Sequence, residues 1–213
     1  MSMTSMAQKM CLCSTFRQPP NKQRSNERGR QSHLPGGVKN VVEYRPANHG
    51  DSHSVAALHA ENWRRTYRGN YRDEYLDGDV FSDRQRVWDS RLGHPAANQH
   101  VYVAVQGERL VGFVCMFGSH DREWGSLIDN LHVHIDAQRL GIGSTLMRQA
   151  GIWLRAQFPN ERAHLFVWEL NPARVLYERL GGVNAGIVER GNPGGGTGRY
   201  LRIVWDRPHQ LAC

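Results

Sequence analysis

The stretch best suited to chemistry runs from position 131 to position 144, where a strand passes through a loop into a helix. The first backbone N–H groups of a helix have no intrahelical acceptor, and the helix dipole favours negative charge beside them. Glycines at positions 141 and 143 let an anion approach these groups, and Arg139 adds a charge-assisted donor. The pattern therefore predicts a pyrophosphate site. Its residues are Gln138, Arg139, Leu140, Gly141, Ile142, Gly143 and Ser144.

Other nucleotide-binding loops fit this stretch poorly. A P-loop is excluded because no Gly-Lys-Ser/Thr follows the glycines. A Rossmann fingerprint is disfavoured because Leu146 stands where the third glycine belongs. For the motif taken alone, an ordinary glycine-containing turn between a strand and a helix stays open as the alternative.

The elements around this motif alternate in a way that predicts a mixed α/β fold. Because a strand, a helix and another strand follow in turn at 127–168, one pair of strands should be parallel, whereas the hairpins indicate antiparallel neighbours. We therefore expect a mixed, mostly antiparallel sheet of six to seven strands with helices on both faces. The predicted strands are 41–45, 101–105, 110–116, 127–133, 165–168, 183–189 and 200–205, and the helices are 52–67, 81–92, 142–157 and a short one between 172 and 181.

The positive charge is concentrated at the start of the chain. Residues 1–38 hold six Lys or Arg and one Glu, and so carry five of the seven net positive charges. We predict that 1–38 is a disordered basic arm and that 39–213 is the folded domain, since the arm has few large apolar side chains. A phosphate-binding arm or a transit peptide is a lesser alternative. Nucleic-acid binding by the domain is disfavoured because its own charge is near neutral.

Cysteine usage and hydropathy indicate a cytoplasmic protein that does not enter a membrane. The four cysteines are scattered and form no disulfide framework, and Cys11 and Cys13 lack the second close pair that a zinc site needs. No stretch approaches the ~18 apolar residues of a membrane span. His132 and His134 share a strand face, but with 11 histidines in the chain we interpret this as coincidence and expect no metal.

The motifs together resemble those of the GNAT superfamily of N-acetyltransferases. The block from Gln138 to Gly143 is similar to the acetyl-CoA signature Q/R-x-x-G-x-G/A. Residues 130–133 look like the fourth strand of that family, and 173–182 looks like its A-x-x-F-Y-E-x-x-G segment. Residues 44–47 and 57–64 resemble its first strand and helix, so the likeness covers 41–206.

The resemblance implies that acetyl-CoA is the cosubstrate and that a primary amine attacks the thioester directly in a ternary complex. The backbone of Leu131, His132 and Val133 would pair with the pantetheine arm. A strand bulge at about Val133 would present an N–H to the developing oxyanion. Tyr177 would protonate the departing thiolate, and its alternative role is packing of the helix on the sheet.

Two further site residues depart from a simple match. Asp129 shares strand parity with Leu131 and is the candidate base; the alternatives are a solvent-facing Asp129, Glu61, or a chain of waters. Asn171 stands six residues before Tyr177, whereas the family often has an asparagine seven before it. Its cofactor contact is therefore either kept by a shorter loop or lost.

The acceptor side would be formed by the first two helices and the glycine-rich loop 191–198. Aromatic side chains with a few charges suit a small polar amine or a peptide end, and equally suit ordinary packing. A non-catalytic CoA-binding sensor or assembly module is the alternative function, and a homodimer is left open. The side chains concerned are Trp63, Arg64, Tyr67, Tyr71 and Tyr75.

Overall fold

The structure, a computed structural model, describes residues 41–212. The predicted basic arm at 1–38 lies outside the described residues. So do three of the four cysteines, at positions 11, 13 and 213. The fourth, Cys115, is buried as a free thiol.

Within the described range, the predicted α/β fold is confirmed and each predicted element is present. A short helix, α2, was missed in the Tyr-rich connection, because five residues are too few to show a helical period. The strands are β1 Val42–Pro46, β2 Gln99–Gln106, β3 Arg109–Asp121, β4 Gly125–Val133, β5 Ala163–Trp168, β6 Val183–Gly191 and β7 Thr197–Trp205. The helices are α1 Ser52–Thr66, α2 Asp73–Asp77, α3 Val80–Gly93, α4 Ile142–Gln157 and α5 Arg174–Arg179.

The strands form one seven-stranded sheet in the order β1-β2-β3-β4-β5-β7-β6. The pairing of β4 with β5 is parallel and the other neighbouring pairs are antiparallel, as the sequence predicted. The parallel pair is thus near the middle of the sheet, and the helix that joins its strands, α4, carries the glycine motif at its start.

Helices cover both faces of the sheet. On one face, α4 packs through Leu146 and Leu154 against a core that includes Val114 of β3. On the other, α1 and α3 pack against Phe113, its neighbour along the same strand. Alternate residues of a strand point to opposite faces, so β3 and β4 are buried from both sides. No helix in the described part of the chain is both long and apolar enough to span a membrane.

Gly112 of β3 allows α4 to approach the sheet closely. A Cβ at this position would lie 3.1 Å from Leu146 Cδ1 and from the His132 carbonyl oxygen, and 3.3 Å from Ile142 Cγ2. We therefore expect Gly112→Ala to lower the free energy of unfolding by about 1–3 kcal/mol, the usual cost of overpacking a close contact. Urea unfolding measures this.

Gly191 supplies the matched control. It also lies in a strand, and a Cβ there would meet no atom within 4 Å. Gly191→Ala should therefore change the free energy of unfolding by less than about 0.5 kcal/mol. Equal urea midpoints for the two variants would contradict the packing argument.

Candidate active site

The centre of the sheet opens where β4 and β5 separate. In the described chain these strands pair at two positions, Ser126 with Ala163 and Leu127 with His164, and nowhere beyond. β4 continues to Val133 and β5 to Trp168, so the carboxyl-terminal halves of the two strands diverge. This opening gives an extended ligand access to the β5-facing backbone of β4.

The backbone of β4 is oriented for such a ligand by strand alternation. The His134 N–H donates to the Val111 carbonyl oxygen at 2.8 Å, which is on the β3 side. Because adjacent residues of a strand point their N–H and C=O groups in opposite directions, those of Leu131 and Val133 face the opening. The Val133 carbonyl oxygen accepts from Gln138 Nε2 at 3.2 Å, so the loop is tied back to the strand end.

A bulge interrupts β4, but not where the sequence suggested. Cys115 pairs with Asn130 and Met116 pairs with Ile128, so Asp129 is an extra residue on β4. The expectation of a bulge at about Val133 was therefore wrong by four residues. A bulge depends on which residues pair across strands, and the sequence of one strand alone does not fix this.

The bulge also reverses the predicted face of Asp129. Ile128 and Leu131 both pack in the core beneath α4, whereas Asp129 contacts α3 on the opposite face. Asp129 and Leu131 therefore do not share a face, and the parity argument was wrong. The alternative of a solvent-facing carboxylate was wrong as well, since the Asp129 side chain is 1% exposed.

Asp129 forms a buried ion pair with Arg91 of α3. Arg91 Nη1 donates to Asp129 Oδ2 at 2.7 Å and to Asn130 Oδ1 at 2.9 Å. Burial is the largest single influence and acts to lower the pKa of the Arg91 guanidinium, but the charge and hydrogen bond of Asp129, together with Cys115, outweigh it and the pKa is raised. A buried carboxylate needs such a partner, because an isolated charge is costly away from water.

Sequence reasoning missed Arg91, although a signal for it was present. Arg84, Trp88 and Arg91 recur at helical spacing on α3, and Arg84 and Trp88 are fully buried. A basic residue on a buried helical stripe indicates a buried acidic or aromatic partner. Arg84 has both, because its guanidinium lies 4.4 Å from the Trp63 ring centroid and bonds Asp83.

The glycine motif forms an exposed turn at the start of α4. Gly141 is the residue preceding the helix, with φ 80°, and it has no side chain to cap the first N–H groups. Arg139 has φ 64°, a left-handed conformation that is strained for any residue except glycine. Arg139, Leu140 and Gly141 are exposed, whereas Ile142 is buried as an anchor of α4.

The start of α4 lies beside the end of β4 and beneath α5. A Cβ at Gly143 would contact Leu176 Cδ2 at 3.5 Å and Val133 Cγ2 at 3.7 Å. Gly143 and Ser144 are half-buried there. The structure thus brings together the predicted strand end, the predicted turn and the α5 segment.

Tyr177 and Asn171 both lie inside this region. Tyr177 is the buried residue of α5, with its ring edge-on to Trp205 at 6.2 Å between centroids. Asn171 is buried, and its Oδ1 accepts from the Ala173 N–H at 3.0 Å at the start of α5. The proposed acid role of Tyr177 and cofactor contact of Asn171 stay predictions.

His132 points away from the glycine turn, into the core beneath α1. It is fully buried, and its ring centroid lies 4.5 Å from that of His59. Burial lowers the pKa of His132 to about 3, so the ring is neutral. By the same strand alternation, the backbone N–H and C=O of His132 face β3, so neither they nor the ring are directed at the opening, and its cofactor contact stays a prediction. No group of three or more potential metal ligands occurs among residues 41–212.

The aromatic side chains predicted for the acceptor side form a packed wall. Trp63, Tyr67 and Tyr71 are buried, and the last two rings stack at 4.5 Å. These three side chains therefore pack in the core, as in the alternative to an acceptor-binding role that the sequence left open. Arg64 Nε donates to the Leu76 carbonyl oxygen at 2.8 Å, and the Tyr75 hydroxyl bonds Asp83.

The glycine-rich loop between β6 and β7 contacts the segment that joins α1 to α2. Asn192 Nδ2 donates to the Asn70 carbonyl oxygen at 2.7 Å, and Asn192 Oδ1 accepts from the Tyr200 hydroxyl at 2.5 Å. The Gly194 carbonyl oxygen accepts from Arg72.

Comparison with known proteins gives a family match for part of the chain. Residues 97–181, from just before β2 to the end of α5, match the family model for the acetyltransferase (GNAT) domain. This stretch of the chain is therefore similar to the acetyltransferase (GNAT) domain. Comparison with curated proteins gives no match.

Solved GNAT structures share the fold at low sequence identity. The PaiA N-acetyltransferase of Thermoplasma acidophilum, solved with coenzyme A, is 15% identical, with TM-score 0.59 over 77% of this chain and 98% of that one. A GCN5-related N-acetyltransferase of Rhodopseudomonas palustris is 18% identical, with TM-score 0.60 over 80% and 98%. Arabidopsis thaliana NAA60, solved with a bisubstrate analogue, is 18% identical, with TM-score 0.58 over 78% and 97%. At these identities the likeness establishes the fold of this chain.

Proposed function

We propose that this chain is an N-acetyltransferase that moves the acetyl group of acetyl-CoA to a primary amine by direct attack in a ternary complex. The observation that carries the proposal is the meeting of the β4–β5 opening with the uncapped start of α4 at Val133 and Gly143. The opening suits the pantetheine arm, and the helix start suits the diphosphate.

The turn before α4 fits a diphosphate on its own geometry. A Cβ at Gly141 would meet no protein atom within 4 Å, so the space above the turn is open. The helix has no acidic residue in its first turn that would repel an anion. Gly141 and Arg139 would hold the diphosphate, through backbone N–H groups and a guanidinium respectively.

Bound acetyl-CoA would supply an activated acetyl thioester. As the amine nitrogen bonds to the acetyl carbon, the C–S bond breaks and the sulfur takes a proton from the Tyr177 hydroxyl. The N–H groups of Leu131 and Val133, which face the opening, would bind the pantetheine and the developing oxyanion. In this proposal the Val133 N–H is directed at the opening by the alternation of the strand. The bulge at Asp129 plays no part in directing it.

The attacking amine must lose a proton, and Asp129 is the candidate base on the face of the sheet that α1 and α3 cover. Asp129 faces α1–α3, the face of the sheet opposite α4 and the glycine turn. We propose that the amine approaches from this face and that Asp129 holds and deprotonates it. Arg91 would keep that carboxylate in place between turnovers.

A direct test combines CoA binding with transfer to a panel of amines. The proposal predicts that acetyl-CoA stabilises the purified chain against heat and that free thiol is released in proportion to acetylated amine. Stabilisation without thiol release for any amine would favour the non-catalytic CoA-binding module. Neither stabilisation nor release would refute both functions.

Arg139 can be tested by separating its charge from its backbone strain. We expect Arg139→Ala and Arg139→Gly each to weaken CoA binding about tenfold or more, because both lose a charge-assisted hydrogen bond. The free energy of unfolding of the Gly variant should exceed that of the Ala variant by about 1 kcal/mol, because glycine adopts φ 64° without strain and alanine does not. Calorimetry measures the first effect and urea unfolding the second. Unchanged CoA affinity in both variants would exclude Arg139 from the site.

A further inference from the structure

Two loops are bonded to each other on the α1 side of the sheet. One joins α1 to α2, and the other is the glycine-rich loop between β6 and β7. Asn192 Nδ2 donates to the Asn70 carbonyl oxygen at 2.7 Å, and Asn70 Nδ2 donates to the Tyr200 hydroxyl at 3.0 Å. That hydroxyl donates in turn to Asn192 Oδ1 at 2.5 Å, and Arg72 donates to the Gly194 carbonyl oxygen. We call Asn70, Arg72, Asn192 and Tyr200 the loop clasp.

Glycines bring the second loop into direct contact with the first. A Cβ at Gly195 would lie 2.5 Å from Arg72 Nη2, and one at Gly194 would overlap the Tyr75 ring. A polypeptide that lies between two backbone segments needs about 4.8 Å to each of them. Between the described residues of these two loops there is no gap of that width. The loops therefore do not form a groove for a peptide.

The loop clasp lies beside the diverging half of β5. Tyr200 pairs with Trp168, the last residue of β5. The Tyr67 ring, just after α1, lies 6.0 Å from the Trp168 ring. The same apolar cluster includes Leu127 of β4 and Phe166 of β5, so it reaches both strands that border the opening. A ligand that approaches the opening from the α1 side therefore meets the clasp and the rings beneath it.

The rings beneath the clasp are buried. Trp63 and Tyr67 are 0% exposed, Tyr200 is 1% exposed and Tyr71 is 4% exposed. To admit a peptide here, the two loops would have to separate, which would break the clasp bonds and bring these rings into contact with water. The loop clasp therefore stabilises a closed α1 side.

A narrower route to Asp129 exists on the α3 side. Arg91 bonds the Asp129 carboxylate at 2.7 Å, and its side chain is 13% exposed, so a single side chain separates the candidate base from the surface. The Arg91 guanidinium lies against the rings of Trp88 and Phe117, at 5.3 and 5.2 Å, so this entry is recessed. Rotation of one side chain is a small, fast motion, whereas separation of two bonded loops is a local unfolding event.

We propose that the amine acceptor is a small molecule and that the loop clasp excludes the amines of peptides and proteins. This inference rests on the proposed function and names its substrate class. With the α1 side closed, the residues that flank the amine in a peptide have no surface groove to occupy. A small amine needs no groove and can enter past Arg91.

The test compares acceptors that share an amine and differ in size. One pair is alaninamide and a decapeptide that begins with alanine. The other is Nα-acetyl-lysinamide and an N-terminally blocked decapeptide with a central lysine. Thiol release from acetyl-CoA gives kcat/KM for each acceptor. We expect the small member of an acetylated pair to be favoured about tenfold or more.

Substitution of the clasp decides whether it is the cause. Asn192→Ala removes the side-chain bonds of Asn192 to the other loop and to β7, and Arg72→Ala removes the bond to Gly194. The doubly substituted protein should acetylate the decapeptides, and its preference for the small acceptor should shrink to about threefold or less. Amide hydrogens of 191–198 should exchange faster, because the loop opens more often.

The control is Asn184→Ala on β6. Asn184 is exposed, and its Oδ1 accepts from the Gly186 N–H at 2.9 Å within the same strand. The substitution thus removes an asparagine bond to the backbone without touching the clasp. Size preference and hydrogen exchange should both stay as in the wild type.

The outcomes separate the two claims. If acetyl-CoA binds and a decapeptide is acetylated as fast as its small partner or faster, the inference fails and the proposed function stands. Unchanged exchange or an unchanged size preference in the double variant also overturns the inference. If no amine of any size is acetylated, the proposed function itself fails. Unchanged CoA affinity shows that the double variant is folded, and Arg72→Ala alone, at an exposed position, replaces it otherwise.

Discussion

Tyr177→Phe is expected to lower kcat for acetyl transfer about 100-fold or more, the usual contribution of a positioned general acid. The Tyr177 side chain is fully buried, so phenylalanine fills the same space and the change removes only the hydroxyl. The affinity for CoA should stay within about twofold, because we propose that other residues bind the diphosphate and the pantetheine. Single-turnover rates and calorimetry measure the two quantities separately.

Tyr102→Phe is the control for this substitution. Tyr102 is half-buried on β2 and packs against the same core. It should leave both the rate and the affinity unchanged. If Tyr177→Phe retained more than about a third of the wild-type kcat, the hydroxyl would have no acid role and the tyrosine would be a packing residue.

The second large effect is loss of stability in mild acid. We expect the free energy of unfolding to fall steeply as the pH drops from 6.5 towards 4. The cause is a set of buried histidines that stay neutral in the folded chain. Burial lowers the pKa of His132 to about 3, that of His164 to about 4, and that of His59 well below its usual value.

The sign follows from proton linkage. Below pH 6.5 the unfolded chain binds a proton at each of these histidines, whereas the folded chain does not, so acid favours unfolding. Each histidine contributes a slope of up to about 1.4 kcal/mol per pH unit, and three give about 4 kcal/mol per unit. A domain typically has 5–15 kcal/mol to lose. Unfolding should therefore be complete by about pH 4.

Urea midpoints between pH 7.5 and pH 5 test this. His132→Leu should reduce the slope by about a third, because one buried titrating site is removed. His94→Leu, at an exposed position, should leave it unchanged. Midpoints that did not vary with pH above 5 would contradict the assignment of neutral buried histidines.

The sequence predicted the elements whose signal is local. Helix α4 was predicted at 142–157 and begins and ends there, because its apolar period and its glycine start are both encoded in adjacent residues. The parallel pair followed from the order of elements alone. The fold and the position of the glycine turn beside β4 were thus within reach of periodicity and motif.

Features that depend on pairing between strands were not within reach. The bulge at Asp129 exists because β3 and β4 differ by one residue in their pairing, and it alone turns Asp129 towards Arg91. The stacking of Arg190 and Arg202 on Phe166 needs β7 to lie between β5 and β6, so that side chains from three strands meet. Neither arrangement produces a sequence pattern within any single segment.

The central claim is that the start of α4 and the diverging half of β4 bind acetyl-CoA. Calorimetric titration of the protein with CoA tests it most directly, with Arg139→Ala as the companion variant. The account predicts one site per chain at micromolar affinity, weakened about tenfold in the variant. Absence of binding at millimolar CoA, or equal affinity in both proteins, would contradict it.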